Sequence, residues 1–238
     1  MRKRIIIGLM VSLFFFSFSS GELKIKNPEW KDGEKISYEI RYKGELVGSV
    51  DYLIVDTLVG GTKAYMIKVA TLTGYLGVNT YDSISLIVNQ NNLKPINLKR
   101  YFITPEDIKM VHARYLEDKV KFKIDTFLGT EEKEIDFPED GYDNEEVVLL
   151  LRALPLKEGT RVTFSNISSL AAKSIPVEIE ISKSEKIKAP LGEFLCNRLK
   201  MKSGEKYVDL WYQKSKPYLM VRYLDNTSGT EILLKEHK

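Results

Sequence analysis

The stretch Asp143-Asn-Glu-Glu-Val-Val-Leu-Leu-Leu-Arg-Ala-Leu-Pro155 is the one segment of this chain that does not read as a β-strand. Asp143 is placed to cap a helix, Glu145 and Glu146 fall in a first turn where they complement the macrodipole, and Pro155 closes the pattern. From Val147 to Leu154 every residue but Arg152 is apolar, so a helix here is hydrophobic around nearly its whole circumference and needs walls on more than one side. Only strands are left to build those walls. The pattern therefore predicts a helix over about 143–155 with Val148, Leu151 and Leu154 in its core. The fold it implies is mainly β, a large curved antiparallel sheet (half-barrel or open barrel) enclosing one short helix.

Working outward, the period becomes two. Ile36, Tyr38, Ile40 and Tyr42 alternate with Ser37, Glu39, Arg41 and Lys43, the signature of a half-buried strand. Lys43-Gly-Glu45 reverses the chain into a longer strand over 46–59, with Gly44 and Gly48 shaping the hairpin. Alternation continues over 62–73, 80–89, 95–103, 108–116, 120–127 and 129–136. A loop at 74–79 is unusual in carrying three apolar residues, Tyr75, Leu76 and Val78. Beyond the helix, strands are expected over 161–165, 174–182, 192–202, 207–213, 218–224 and 230–235, with a small-residue loop at 165–172. The helix thus falls between two antiparallel arrays. No Pro-, Ser- or Gly-rich linker separates them, which favours one β-rich domain over 21–238.

The N-terminus has the form of a secretory signal peptide over 1–20: Arg2-Lys3-Arg4, an almost unbroken apolar run from Ile5 to Phe16, then Ser17-Phe-Ser-Ser-Gly21. The run is short for a bilayer core that needs about 20 residues, so cleavage after Ser19 or Ser20 is expected, with no membrane span thereafter and a periplasmic or extracellular location. The net charge of +3 belongs to the leader's three cations. The remainder is near neutral with Lys and Glu interleaved, which argues against a nucleic-acid partner. The Lys, Glu and Ile content, with few Gln, His and Cys, leans toward thermophile composition.

Chemistry finds little support in the residues. The chain has two histidines; His237 is penultimate and expected to fray, and His112 alternates along a strand face. There is no Gly-x-Ser-x-Gly elbow and no His or Cys spacing suited to a metal. The acidic cluster Glu139, Asp140, Asp143, Glu145, Glu146 is explained by capping, although oxygen ligands of this kind can hold Ca²⁺ weakly. The single cysteine, Cys196, excludes an internal disulfide and reads as a buried thiol. Arg152 is the sharper feature. Enclosed in an apolar helix, its guanidinium needs a carboxylate, for which Glu145, Asp51 and Asp209 are candidates, or else it anchors a ligand. Tyr75, Leu76 and Val78 are the companion candidates for ligand contact, as a lid or docking surface.

Asp32-Gly-Glu-Lys-Ile-Ser-Tyr-Glu-Ile-Arg-Tyr42 with Gly44 and Gly48, the stretch from Asp143 to Leu156 with Gly159, Gly192-Glu-Phe194, and Leu210-Trp-Tyr212 with Lys216-Pro217 occur in an order that resembles domain-of-unknown-function family 3108, a family of exported bacterial proteins. The resemblance spans nearly the whole mature chain and implies no catalytic residue and no cofactor. It implies a fold similar to the curved sheets of periplasmic lipoprotein carriers, in which a concave sheet covered by helix shelters acyl chains. The expected role is non-catalytic binding of a hydrophobic ligand, a lipid or acyl chain, in the curved sheet. The alternative is a structural module with an envelope protein partner, and a hydrolase ranks last.

Overall fold

The computed structural model describes residues 28–238, and the leader lies outside the described residues. Eight strands form a meander: β1 (Lys35–Tyr42), β2 (Glu45–Val59), β3 (Thr62–Tyr75), β4 (Val78–Asn89), β5 (Pro95–Ile103), β6 (Ile108–Tyr115), β7 (Lys119–Thr126) and β8 (Gly129–Asp136). A short strand β9 (Gly141–Asp143) leads into α1 (Val147–Leu150) and a 3-10 turn (Leu151–Ala153). The second run is β10 (Arg161–Ser168), β11 (Lys173–Ala189), β12 (Gly192–Ser203), β13 (Lys206–Gln213), β14 (Met220–Asp225) and β15 (Thr230–His237).

The two runs are not separate arrays. β15 hydrogen-bonds to β1, placing His237 opposite Ile36, so all fifteen strands form one sheet in the order β8-β7-β6-β5-β4-β3-β2-β1-β15-β14-β13-β12-β11-β10-β9. Every pairing is antiparallel except β9 with β10. The C-terminal strand is therefore the seam of the sheet, and His237, expected to fray, sits in it with Nε2 2.9 Å from Glu34 Oε1.

This order forces curvature. The outermost strands, β8 and β9, are consecutive in the chain and joined by residues 137–140 alone. Laid flat, fifteen strands at about 4.8 Å spacing would hold those edges roughly 65 Å apart, whereas the link reaches about 18 Å at full extension. The sheet must curl almost into a barrel. Its edges do not close by a β-ladder; side chains tie β9 and the link before it to the β4–β5 turn and to β6, with Lys94 Nζ donating to the carbonyls of Glu139 (2.5 Å) and Gly141 (3.0 Å), and the Tyr115 hydroxyl donating to Asp143 Oδ2. The result is a curved, open sheet around one short helix.

The helix is shorter than 143–155. Asp143 is not the N-cap: it ends β9, Glu146 is the N-cap without a side-chain cap bond, and no acid lies in the first turn. In the approach to the helix the Asp143 backbone N–H donates to Glu146 Oε1 (2.7 Å) while Asp143 Oδ1 accepts from the N–H of Glu145 (2.8 Å). Pro155 pushes Leu154 into extended backbone (φ −90°, ψ 150°), which stops the helical turn at Ala153. Leu149, Leu150 and Leu151 are fully buried, Leu154 is buried, and Val148 is half-buried against the core. Carbonyls left over at a buried helix end need donors. Trp30 Nε1 supplies one to Leu149 (3.3 Å) and the Tyr212 hydroxyl one to Val148 (2.9 Å), from the two sides of the sheet.

Two loop expectations are corrected. Residues 74–79 are not a loop but the end of a long hairpin whose turn is Leu76-Gly77 alone, both at positive φ (51° and 81°), and Ser165–Ser168 belong to β10. Gly48 lies inside β2 rather than in a turn. A Cβ there would come 2.1 Å from the Leu72 carbonyl oxygen, so only glycine lets β2 and β3 approach.

Candidate functional site

The concave face, where the sequence pattern placed a ligand, is occupied by the chain itself, and the helical segment is pinned there at both ends. At its start, Arg100 donates from Nε to Asp82 Oδ1 (2.9 Å), from Nη1 to Glu145 Oε1 (2.9 Å) and to Ser169 Oγ (3.2 Å), and from Nη2 to Asp82 Oδ2. At its end, Arg152 donates from Nη2 to Glu34 Oε1 (2.8 Å) and from Nε to the Pro217 carbonyl (3.1 Å). The Arg152 and Glu34 side chains are 1% and 2% exposed. None of the three carboxylates expected for Arg152 serves it. Glu145 takes Arg100, Asp51 accepts from the Ser37 hydroxyl (2.5 Å), and Asp209 is held by Arg198 (3.0 and 2.9 Å). Glu34 precedes Arg152 by 118 residues and comes to it only because β1 lies at the seam.

The acidic cluster divides by depth. Asp143 and Glu146 are fully buried. Burial, reinforced by the charge of Glu145, pushes the Asp143 carboxyl up to about 7, and burial beside Asp143 raises Glu146 well above the carboxylate range. Neither has exposed surface, and the Tyr115 hydroxyl donates to Asp143 Oδ2. Among the described residues no group of three or more His, Cys, Asp or Glu is arranged to hold a metal ion. Cys196 is buried as expected, its thiol raised to about 12 by desolvation.

The outer face of β3 to β8 is different. Strand register aligns exposed residues in rows across it. Leu72, Tyr81, Ile103 and Ile108 pair successively on β3, β4, β5 and β6. Four residues further along each strand, toward the other end of the sheet, Lys68, Ser85, Lys99, His112 and Lys123 pair in the same way from β3 to β7. The three lysines lie on alternate strands, and on β8 the row continues with Glu132 opposite Lys123, whose Nζ is 3.7 Å from Asp125 Oδ1. A cleft of about 1030 Å³ runs beside this row, with Met66 and Ile87 on its apolar side and His112, Lys99, Arg114 and Lys123 together with Glu132 and Glu134 on its polar side. His112 lies in this row between Lys99 and Lys123.

Tyr75, Leu76 and Val78 sit at the β3–β4 tip, beyond the apolar row, with Tyr75 braced edge-on against Tyr42 (5.1 Å between ring centres). Arg152 lies at the other end of the sheet, beside Glu34 and the start of β1, where a separate cleft of about 700 Å³ runs past Leu154, Leu156, Lys214 and Tyr218. The structure therefore does not bring the four candidate ligand residues into one site. Lys68, Lys99 and Lys123 escaped the sequence reading because each is an ordinary polar position on an alternating strand; only cross-strand register makes them a row.

Among solved structures, the chain is similar to the β-barrel-like protein of domain of unknown function DUF1849 from Brucella abortus, with a TM-score of 0.61 and 7% identity, over 90% of this chain and 99% of that one. At that identity the likeness is one of fold. A protein with a YmcC-like fold from Bacteroides fragilis aligns over the same shares at 11% identity with a TM-score of 0.33. No curated protein matches the sequence. The family model described as "Protein of unknown function (DUF3108)" matches residues 37–230, nearly the whole of the sheet and all of the helical plug, and the chain belongs to that family.

Proposed function

We propose that this is an exported, non-catalytic binding protein of the cell envelope that takes an anionic amphiphile, a lipid or acyl chain with a negatively charged head, on the outer face of β3 to β8. The observation that carries the reading is the register that sets the exposed apolar row Leu72, Tyr81, Ile103, Ile108 on the same face as the lysines Lys68, Lys99 and Lys123. An alkyl chain lying along the first places its head on the second. The concave face is closed to such a ligand by Leu149, Leu150 and Leu151. The non-catalytic reading is supported by the burial of both perturbed carboxyls.

Native mass spectrometry of protein purified from the envelope, followed by organic extraction, tests this. The expected result is a bound acidic lipid or fatty acid that is lost in Lys99→Glu/Lys123→Glu, with the melting temperature held. Protein that carries no lipid and takes up no added fatty acid overturns the reading and favours a structural module. Turnover of an ester or glycoside that depends on His112 overturns its non-catalytic half.

A further inference from the structure

Exposed apolar side chains are distributed unequally between the two ends of the sheet. The turns β1–β2, β3–β4, β5–β6, β7–β8 and β12–β13 all lie at one end, as the antiparallel order requires. Of the fifteen large hydrophobic residues exposed among the described residues, twelve sit at that end; Leu58, Leu191 and Leu195 are the three that do not. The extreme positions are Leu76 (85% exposed) at the β3–β4 turn, and Leu128 (84%) and Phe127 (73%) at the β7–β8 turn. Leu76 is also held at φ 51°. A two-residue turn with both residues at positive φ favours Asn, Asp or Gly at that position, so a bare leucine there is unfavourable both for backbone and for hydration. Such a local conflict points to an interaction outside the chain.

Polarity is graded along the strands behind these tips. The turns 74–80 and 126–130 carry no charge. Tyr75, Tyr81 and Tyr101 come next, with Asp125, Glu131 and Glu132 behind the β7–β8 turn, and then the row Lys68, Lys99, Lys123, in which Lys123 Nζ lies 3.7 Å from Asp125 Oδ1. Lys99 is four residues from Ile103 and Lys123 four from Phe127, about 14 Å along a strand and roughly 10 Å along the axis of a sheet tilted as barrel-like sheets are, whereas Lys68 is eight residues from Leu76 and so about twice as far behind its tip. Aliphatic points, then tyrosines, then cations about 10 Å behind is the polarity profile of a bilayer interface, where apolar groups enter about 5–10 Å and lysines meet headgroup phosphates. A protein partner calls for a flat patch, and here the apolar groups stand on separate projecting hairpins. The β5–β6 turn, with Glu106 and Asp107, stays in the headgroup layer.

We infer that this end docks on an anionic lipid bilayer, with Leu76, Phe127 and Leu128 entering the acyl boundary and Lys99 and Lys123 meeting the phosphates. The inference deepens the amphiphile reading and rests on it for the choice of lipid over protein. Flotation of the purified protein with phosphatidylcholine vesicles, with and without phosphatidylglycerol, tests it. Binding is expected to favour the anionic vesicles. Leu76→Glu and Leu128→Glu should each weaken it roughly tenfold, while Leu191→Glu, at the other end, leaves it unchanged. Lys99→Glu/Lys123→Glu should remove the preference for phosphatidylglycerol. Circular dichroism melting shows that each variant folds.

The inference is overturned if folded protein floats with neither vesicle, if it instead forms a stoichiometric complex with an envelope protein through the Leu76 tip, or if Leu191→Glu weakens binding as much as Leu76→Glu. Protein that carries a bound lipid but ignores vesicles sinks the docking inference and leaves the amphiphile reading standing. Vesicle binding by protein that carries no amphiphile does the reverse.

Discussion

Replacing Arg152 by methionine isolates what the buried ion pair contributes, because methionine keeps much of the aliphatic stem and removes the guanidinium. Three things are lost at once. Glu34 loses a partner at 2.8 Å in a site where its own side chain is 2% exposed, and the Pro217 carbonyl loses a donor at 3.1 Å. The 3-10 turn also loses its tie to the seam of the sheet. Truncating one partner of a buried pair costs about 3–5 kcal/mol, most of it the penalty of a charge left in a poorly solvated place. His237 Nε2, 2.9 Å from the same Glu34 oxygen, still donates a hydrogen bond, which places the expected loss near the lower end, about 3 kcal/mol. Urea denaturation followed by the fluorescence of Trp30 and Trp211 measures it, since Trp30 reports directly on Leu149. The double variant Arg152→Met/Glu34→Gln then separates charge from packing. If the cost is an orphaned carboxylate, it recovers about half of the loss or more, for a neutral amide is far cheaper to bury. A single-variant loss below about 0.5 kcal/mol, the size of a surface change, or a double variant no more stable than the single one, refutes the argument. Unchanged stability with loss of bound lipid would reassign Arg152 as a ligand anchor.

Three further outcomes follow from the same geometry. Asp143, with its carboxyl raised to about 7, and Glu146, raised well above the carboxylate range, hold protons in the fold that the unfolded chain releases above about pH 4; their contribution to stability is therefore full below about pH 4 and is lost as pH rises through the folded-state values, for Asp143 toward about 7. Asp143→Asn keeps the acceptor for Glu145 N–H and should flatten that slope in urea titrations, and an equal slope in wild type and variant would refute it. Leu151→Ala, at a position with no exposed surface, should cost roughly 2–5 kcal/mol in the same assay; a loss under about 0.5 kcal/mol would place the helix outside the sheet. Cys196, buried and with its thiol raised to about 12, should react with a thiol reagent only at the rate of global unfolding, and prompt labelling in native buffer would contradict its burial.

Local pattern and long-range pairing contributed unequally to what could be read in advance. The apolar circumference from Val147 to Leu154 demanded enclosure, and period-two alternation offered only strands to provide it; both are properties of adjacent residues, and the curved sheet around one helix follows from them. The partner of Arg152 is not such a property. Glu34 reaches it because β15 closes on β1 and carries both chain ends of the sheet to one seam, a pairing that no window of sequence contains. The same limit explains the outer face. Lys99, His112 and Lys123 each look like an ordinary solvated strand position, and a shift of one residue in any hairpin would scatter them between the two faces. What fixes the register is visible only afterwards, in turns as tight as Leu76-Gly77 and in the close approach at Gly48. Leu76 ties these levels together. Within its turn it conflicts with backbone preference, and it is 85% exposed in the fold; the proposed contact with a lipid surface, shared with Leu128 and Phe127 at the same end of the sheet, gives a leucine at that point a physical reason.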